Sequence, residues 1–227
     1  MRGAMSRRGV VIALAGLLAL LAGCGEGRRY DQAVCALIDV SGTYADQKRE
    51  VVKVIKRDVL PGMVPGDTFI AILVDSQSYE KGNVKSVTTL DARPSRANAQ
   101  KLALARQLDA FAAGEERSEY TDIPGAMMLG AEYLREVASG SRVMLVFSDL
   151  QEELPSGARR QMREDEFEDI QVVAMNVKRL ESDTADPEAF RRRIGAWKTR
   201  VERSGGAGWR TFMDSSKLAE YLAQIRS

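Results

Sequence analysis

The sequence predicts an α/β, doubly wound fold: a mainly parallel six-stranded sheet with one antiparallel edge strand and helices on both faces. Three observations carry the prediction. Four short runs, 33–38, 69–74, 143–147 and 172–177, are nearly all apolar, which suits strands buried on both faces of a parallel sheet. Segments with helical periodicity lie between them, and β-α alternation is the pattern of crossover-connected sheets. A more polar run, 83–90, follows the second strand after a short turn rich in Ser, Glu and Gly; it reads as the antiparallel edge strand. Residues 209–213 supply a short sixth strand.

The helices follow in order. Residues 44–59 carry Val51, Val52, Ile55 and Val59 and stop at Pro61-Gly62, since proline and glycine end helices. Residues 96–112 place Leu102, Leu104, Ala105, Leu108 and Phe111 on one broad face. A helix over 123–137 has the cap signal Thr121-Asp122 before it and Pro124 in its first turn. Residues 187–203 set Phe190, Ile194, Trp197 and Val201 at i, i+4, i+7 and i+11, an apolar stripe. Residues 216–225 close the chain. The charged stretch 150–168, with Pro155-Ser156-Gly157, reads as a loop plus a short polar helix.

The N-terminus reads as a leader. Arg7-Arg8 precede an uncharged apolar run, 10–21, the n-region and h-region of a secretory signal. The run is shorter than the ~20 residues a membrane-spanning helix needs. It ends in Leu21-Ala22-Gly23-Cys24, which resembles a lipobox, the site where a lipoprotein signal peptidase cleaves before a diacylglyceryl cysteine. The organisation expected is a signal peptide over 1–23, a lipidated Cys24 with a short tether over 24–29, and one domain over 30–227. By that resemblance Cys24 carries a thioether-linked diacylglycerol and an N-acyl chain such as palmitate; two or three chains anchor stably where one does not. Gly25 rather than Asp after the cysteine resembles outer-membrane sorting, facing the periplasm, if the envelope is Gram-negative. A tether of about six residues spans ~20 Å at most, so the domain is expected to sit close to the bilayer.

Composition excludes several chemistries. The chain has no histidine, which removes Ser-His-Asp and Cys-His catalysis and every histidine-containing zinc site. Without Arg2, Arg7 and Arg8 of the leader, 30 basic residues face 32 acidic ones, and nothing in that balance implies nucleic-acid binding. With Cys24 lipidated, Cys35 has no partner for an internal disulfide, and within Val34-Cys35-Ala36-Leu37-Ile38 it reads as a small buried hydrophobe.

In an open α/β sheet, ligands bind beyond the carboxyl ends of the strands where strand order reverses. The first strand ends in Asp39-Val40-Ser41-Gly42-Thr43, and the strand over 143–147 ends in Ser148-Asp149. Two carboxylates therefore fall at one edge. Oxygens at 39, 41 and 43 converge if the turn curls, Gly42 permits close backbone approach, and the loop holding Thr121 returns to the same edge. Carboxylate and hydroxyl oxygens from three loops suit a small hard cation: Mg²⁺ first, Mn²⁺ or Ca²⁺ otherwise. Hydroxyl-heavy ligation leaves the cation under-neutralised, so an incoming carboxylate completes its shell.

Asp39-x-Ser41-x-Thr43, Thr121 and Asp149 resemble the metal-ion-dependent adhesion site of von Willebrand factor A (vWA) domains, and the β-α order from Tyr30 onward is similar to theirs. The resemblance implies that Ser41, Thr43 and Thr121 ligate the cation directly while Asp39 and Asp149 act largely through bound waters. Two positions depart from the family pattern: Leu150 follows Asp149, and Glu119-Tyr120 precede Thr121, where the family often has glycines.

The function expected is a non-enzymatic, lipid-anchored envelope module that binds a protein partner through an acidic side chain of that partner, with no nucleic-acid role. The metal edge, opposite the tether, points away from the membrane. A metal-free structural lipoprotein is the alternative. The first motif also resembles the Asp-x-Asp-x-Thr loop of haloacid dehalogenase-like phosphatases, but Ser41 stands where that family has its general acid. Glu152 or Glu153 could fill the cation's open position when no partner is bound. Arg191, Arg192, Arg193, Lys198, Arg200 and Arg203 form the polar side of the Trp197 helix, either a solvated face or a contact for lipid head groups or an acidic partner.

Overall fold

The computed structural model describes residues 30–175, 177–178, 180, 183 and 186–226, without the side chains of Thr43 and Pro187. The expected leader, lipobox and lipidated Cys24 lie outside the described residues. Six strands form one sheet: β1 (Gln32–Asp39), β2 (Thr68–Val74), β3 (Val84–Thr89), β4 (Ser141–Phe147), β5 (Ile170–Met175) and β6 (Gly208–Phe212). Their spatial order is β3-β2-β1-β4-β5-β6. Only the β2–β3 pair is antiparallel; the other four neighbouring pairs are parallel. The α/β class, the six strands and the antiparallel edge strand are as the sequence predicts.

Strand β1 shows why the apolar runs are continuous. Val34, Ala36 and Ile38 enter one core layer, and Ala33, Cys35 and Leu37 enter the other. Successive side chains point to opposite faces, and here both faces are covered. The first layer is closed by α1 (Lys48–Val54), α2 (Pro94–Ala113) and α5 (Leu218–Gln224), the second by α3 (Ile123–Glu136) and α4 (Pro187–Arg203). Cys35 is fully buried beside α3, and burial pushes its thiol well above the usual range.

The stretch expected as one helix over 44–59 is a composite: a 3₁₀ turn (Gly42–Gln47), α1, a π-helical turn (Ile55–Val59) and a second 3₁₀ turn (Leu60–Gly62). Val51, Ile55 and Val59 recur every four residues and are all buried. A spacing of four exceeds the 3.6 residues of an ideal α-helix, so widening the last turn keeps them on the sheet. Strand β5 begins and ends two residues before the expected 172–177, although Val177 is still buried.

The short polar helix expected within 150–168 is a correction, because only turns and one β-bridge occur there. With no apolar stripe to bury, the segment is held by its contacts with other loops instead. Glu153 exchanges two backbone hydrogen bonds with Thr121 (2.7 and 3.1 Å). Arg160 reaches Asp122 through Nε and Nη2 (2.9 and 2.7 Å).

Candidate metal centre

Parallel register builds the site. Ile38 pairs with Phe147, so Asp39 at the end of β1 lies beside Ser148 at the end of β4. This is the point where the chain leaves β1 between neighbours β2 and β4, the strand-order reversal. The loop before α3 is fastened on both sides: Ser118 N–H donates to Val40 O (2.9 Å) and Gly42 N–H to Ser118 O (3.3 Å), while Thr121 pairs with Glu153. The two cap candidates divide their work. Asp122 caps α3 by accepting from Gly125 N–H (2.8 Å), which leaves the Thr121 hydroxyl free to face the rim. A Cβ on Gly125 would come within 2.3 Å of the Asp122 carboxylate, so the cap requires glycine there.

Four side chains meet in one chain of hydrogen bonds. Thr121 Oγ1 donates to Ser41 Oγ (2.6 Å), Ser41 Oγ donates to Asp39 Oδ1, and Ser148 Oγ donates to Asp39 Oδ2 (2.6 Å). The Ser41 backbone N–H adds a bond to Asp39 Oδ1 (2.8 Å). Asp39 is fully buried and forms no ion pair among the described residues. Burial pushes its carboxyl up to about 6 against the pull of the Ser148 and Ser41 hydrogen bonds, and the charge of Asp149 pushes the same way. Asp149 is half-buried and accepts from Gln151 N–H (2.9 Å). Burial raises its carboxyl too, while Gln151 and Arg193 hold it down and Glu153 and Asp183 oppose them.

Of the five residues read from the sequence, Asp39, Ser41 and Thr121 are brought into direct contact, and Asp149 is carried alongside by Ser148. The backbone of Thr43 lies in the 3₁₀ turn that follows Ser41. Among the described residues no group of three or more His, Cys, Asp or Glu side chains is placed to hold a metal ion. The donor set is instead two carboxylates with hydroxyls, the composition expected for a hard cation bound without full neutralisation. A fully buried carboxylate with no ion pair among the described residues, Asp39, fits a cation, because buried charges are ordinarily paired or bound to metal.

Sequence reasoning missed three participants. Ser148 holds one whole face of Asp39; its place between the apolar run and Asp149 was the available signal. Tyr44 is 1 % exposed, and its hydroxyl has no hydrogen-bond partner among the described residues. Arg193, assigned to the polar face of its helix, instead turns under the rim. Its Nε donates to Asp149 O (3.0 Å) and its Nη atoms to both oxygens of buried Asp183 (3.0 and 2.8 Å). Of the other basic residues on α4, Arg191, Arg192, Lys198 and Arg200 pair with Glu188, Asp186, Glu202 and Glu152. Glu152 is thus engaged with Arg200 in this state.

The two departures from the vWA pattern have physical readings. Leu150 adopts φ 64°, the left-handed conformation in which glycine is at ease. It is held there by burial of its side chain, by Ser148 Oγ accepting from its N–H (3.0 Å) and by Trp197 Nε1 donating to its carbonyl (2.9 Å). Glu119-Tyr120 sit in the loop pinned between Val40–Gly42 and Glu153.

No family model and no curated protein matches the chain. Solved structures do. BatB, a conserved hypothetical protein from Bacteroides thetaiotaomicron, is 11% identical over 86% of this chain and 96% of its own, with a TM-score of 0.50. The PilB minor pilin from Streptococcus sanguinis is 8% identical over 89% of this chain and 62% of its own (TM-score 0.51). A von Willebrand factor type A protein from Catenulispora acidiphila is 11% identical over 86% and 42% (TM-score 0.44). At these identities the likeness to BatB and PilB is one of fold, the doubly wound α/β arrangement described above.

Proposed function

We propose that this chain is a lipid-anchored envelope protein whose vWA-like domain holds a divalent cation, Mg²⁺ first, and captures a protein partner through an acidic side chain. Ser41, Thr43, Thr121, Asp39 and Asp149 would hold the cation, and Ser148 would orient Asp39. The cation would supply an under-neutralised Lewis-acidic centre for a partner carboxylate, with no bond made or broken. The observation that carries the reading is a fully buried carboxylate, Asp39, that has two hydroxyl donors, a backbone donor and no cationic partner among the described residues.

The anchor part of the proposal rests on Leu21-Ala22-Gly23-Cys24. No described helix is long and apolar enough to cross a membrane. The chain enters the domain at the amino end of β1, so a tether from Cys24 would leave the Asp39 rim on the far side.

Calorimetric titration of the wild type and Asp39→Ala with Mg²⁺ and Mn²⁺ tests the site. Binding by the wild type and none by the variant is expected; a wild type that takes up neither ion would end the proposal. Mass spectrometry of the membrane fraction tests the anchor, with a diacylglyceryl adduct on Cys24 expected and its loss in Cys24→Ser. A metal-free structural domain is the competing reading. It is favoured by one observation: the hydroxyls of Thr121, Ser41 and Ser148 already satisfy one another and Asp39. The same titration separates the two.

A further inference from the structure

We propose that the Tyr44 hydroxyl is a positioning donor of the cation site, hydrogen bonding a water held between Asp39 and Asp149 when the site is loaded. The inference rests on the cation reading above.

Tyr44 follows directly on the Asp39-x-Ser41-x-Thr43 motif, in the 3₁₀ turn that presents it. The turn fixes it firmly: the N–H groups of Tyr44 and Ala45 both donate to Ser41 O (3.0 and 3.1 Å). Its ring belongs to the core layer that ends at the rim with Ile38, Phe147 and Met175. Its hydroxyl is one of two buried side-chain polar atoms without a partner among the described residues; the other, on Ser139, lies just before β4 at the opposite edge. Every other hydroxyl described at the rim, those of Ser41, Ser118, Thr121 and Ser148, is bonded. Burial raises the phenol, and the charges of Asp39 and Asp149 push the same way.

A buried hydroxyl in a native protein almost always finds a partner, protein or ordered water. The phenol makes no direct bond to Asp39, whose oxygens accept from Ser41 and Ser148 instead. A water in the cation's shell would be polarised by the metal and flanked by the carboxylates, and it would accept from the phenol. An apolar residue at position 44 would fill the core equally well; the phenol adds only the donor.

The test compares wild type with Tyr44→Phe, which keeps the ring. Three results are expected. Mg²⁺ gives the wild type a tyrosine absorbance difference that the variant lacks. The variant binds Mg²⁺ about fivefold more weakly, the worth of one net hydrogen bond. In EDTA the variant unfolds at a higher temperature, because the orphaned hydroxyl is gone. Equal affinities, or wild-type binding with no tyrosine signal, overturn this inference alone. A wild type that binds no Mg²⁺ overturns it together with the cation reading.

Discussion

Two buried aspartates, at opposite edges of the same sheet, are treated differently. Asp67, just before β2, is fully buried and accepts four hydrogen bonds. Two come from the N–H groups of Gln32 and Val64 (2.8 Å each) and two from Arg226 (2.6 and 2.7 Å). Asp39, at the other edge, is just as buried and has comparable donors, but no arginine among the described residues. Asp122 and Asp183 follow the first pattern, with Arg160 and Arg193. Where a buried carboxylate only shapes a loop, the chain supplies a guanidinium from within itself. At Asp39 no guanidinium is supplied among the described residues, and the proposed cation would be its countercharge. The cation reading depends on this contrast.

The contrast can be broken at either end. The largest effect is expected at Asp67→Ala. It strands the Arg226 guanidinium and two backbone donors, so a loss of about 3–5 kcal/mol is expected, the same with Mg²⁺ or EDTA, by urea denaturation. A loss that Mg²⁺ repairs would mean the two ends are not independent.

Next comes the pH dependence of Asp39 with the cation chelated. Its carboxyl is raised from 3.8 to about 6, so the folded state holds its proton where the unfolded chain has released it. This group's contribution is therefore favourable at about pH 4 and below. It is lost as pH rises toward about 6, by on the order of 3 kcal/mol, and stays lost above. Asp39→Asn removes that slope. The stability gap between wild type and variant should widen in the variant's favour from pH 4 to 7 in EDTA, and reverse with Mg²⁺. A gap flat with pH would mean that Asp39 is already compensated. At a Mg²⁺ concentration of one hundred times Kd, the wild type should gain about 2.7 kcal/mol.

The smallest effect sharpens the comparison from outside. Arg191 and Glu188 form an exposed pair (2.7 Å), and such pairs are worth under ~1 kcal/mol. Arg191→Ala should shift the urea midpoint hardly at all.

Much of the fold was legible because burial on both faces writes itself into composition: Val34, Ala36 and Ile38 alternate with Ala33, Cys35 and Leu37, and none can be polar. The stripe Phe190, Ile194, Trp197, Val201 was legible for the same reason. The edge strand β3 stood out because it is not covered on both faces. At the rim, Asp39, Ser41, Thr121 and Asp149 were readable from their places just after strands and before a helix. What stayed hidden depends on partners distant in sequence. A helical wheel puts Arg193 among solvated arginines, since nothing local reveals that Asp183 and the Asp149 carbonyl come to meet it. The Asp67–Arg226 pair joins the start of β2 to the end of the chain. Tyr44 was only the first residue of the helix expected over 44–59, because the shortage of a partner cannot be seen without coordinates. The segment 150–168 looked partly helical because charge alone does not distinguish a polar helix from a strapped loop.

Arg193 has a kinetic consequence. It joins Asp149 O, Lys178 O (3.3 Å) and Asp183 across three separate segments, while Trp197 fastens the adjoining Leu150. If this rim is the docking edge proposed above, an edge clamped in this way would have little ordering entropy left to lose on association. Encounter with a carboxylate-bearing ligand should then be limited by orientation rather than by loop rearrangement, and variants of the ligand should differ mainly in how fast they leave.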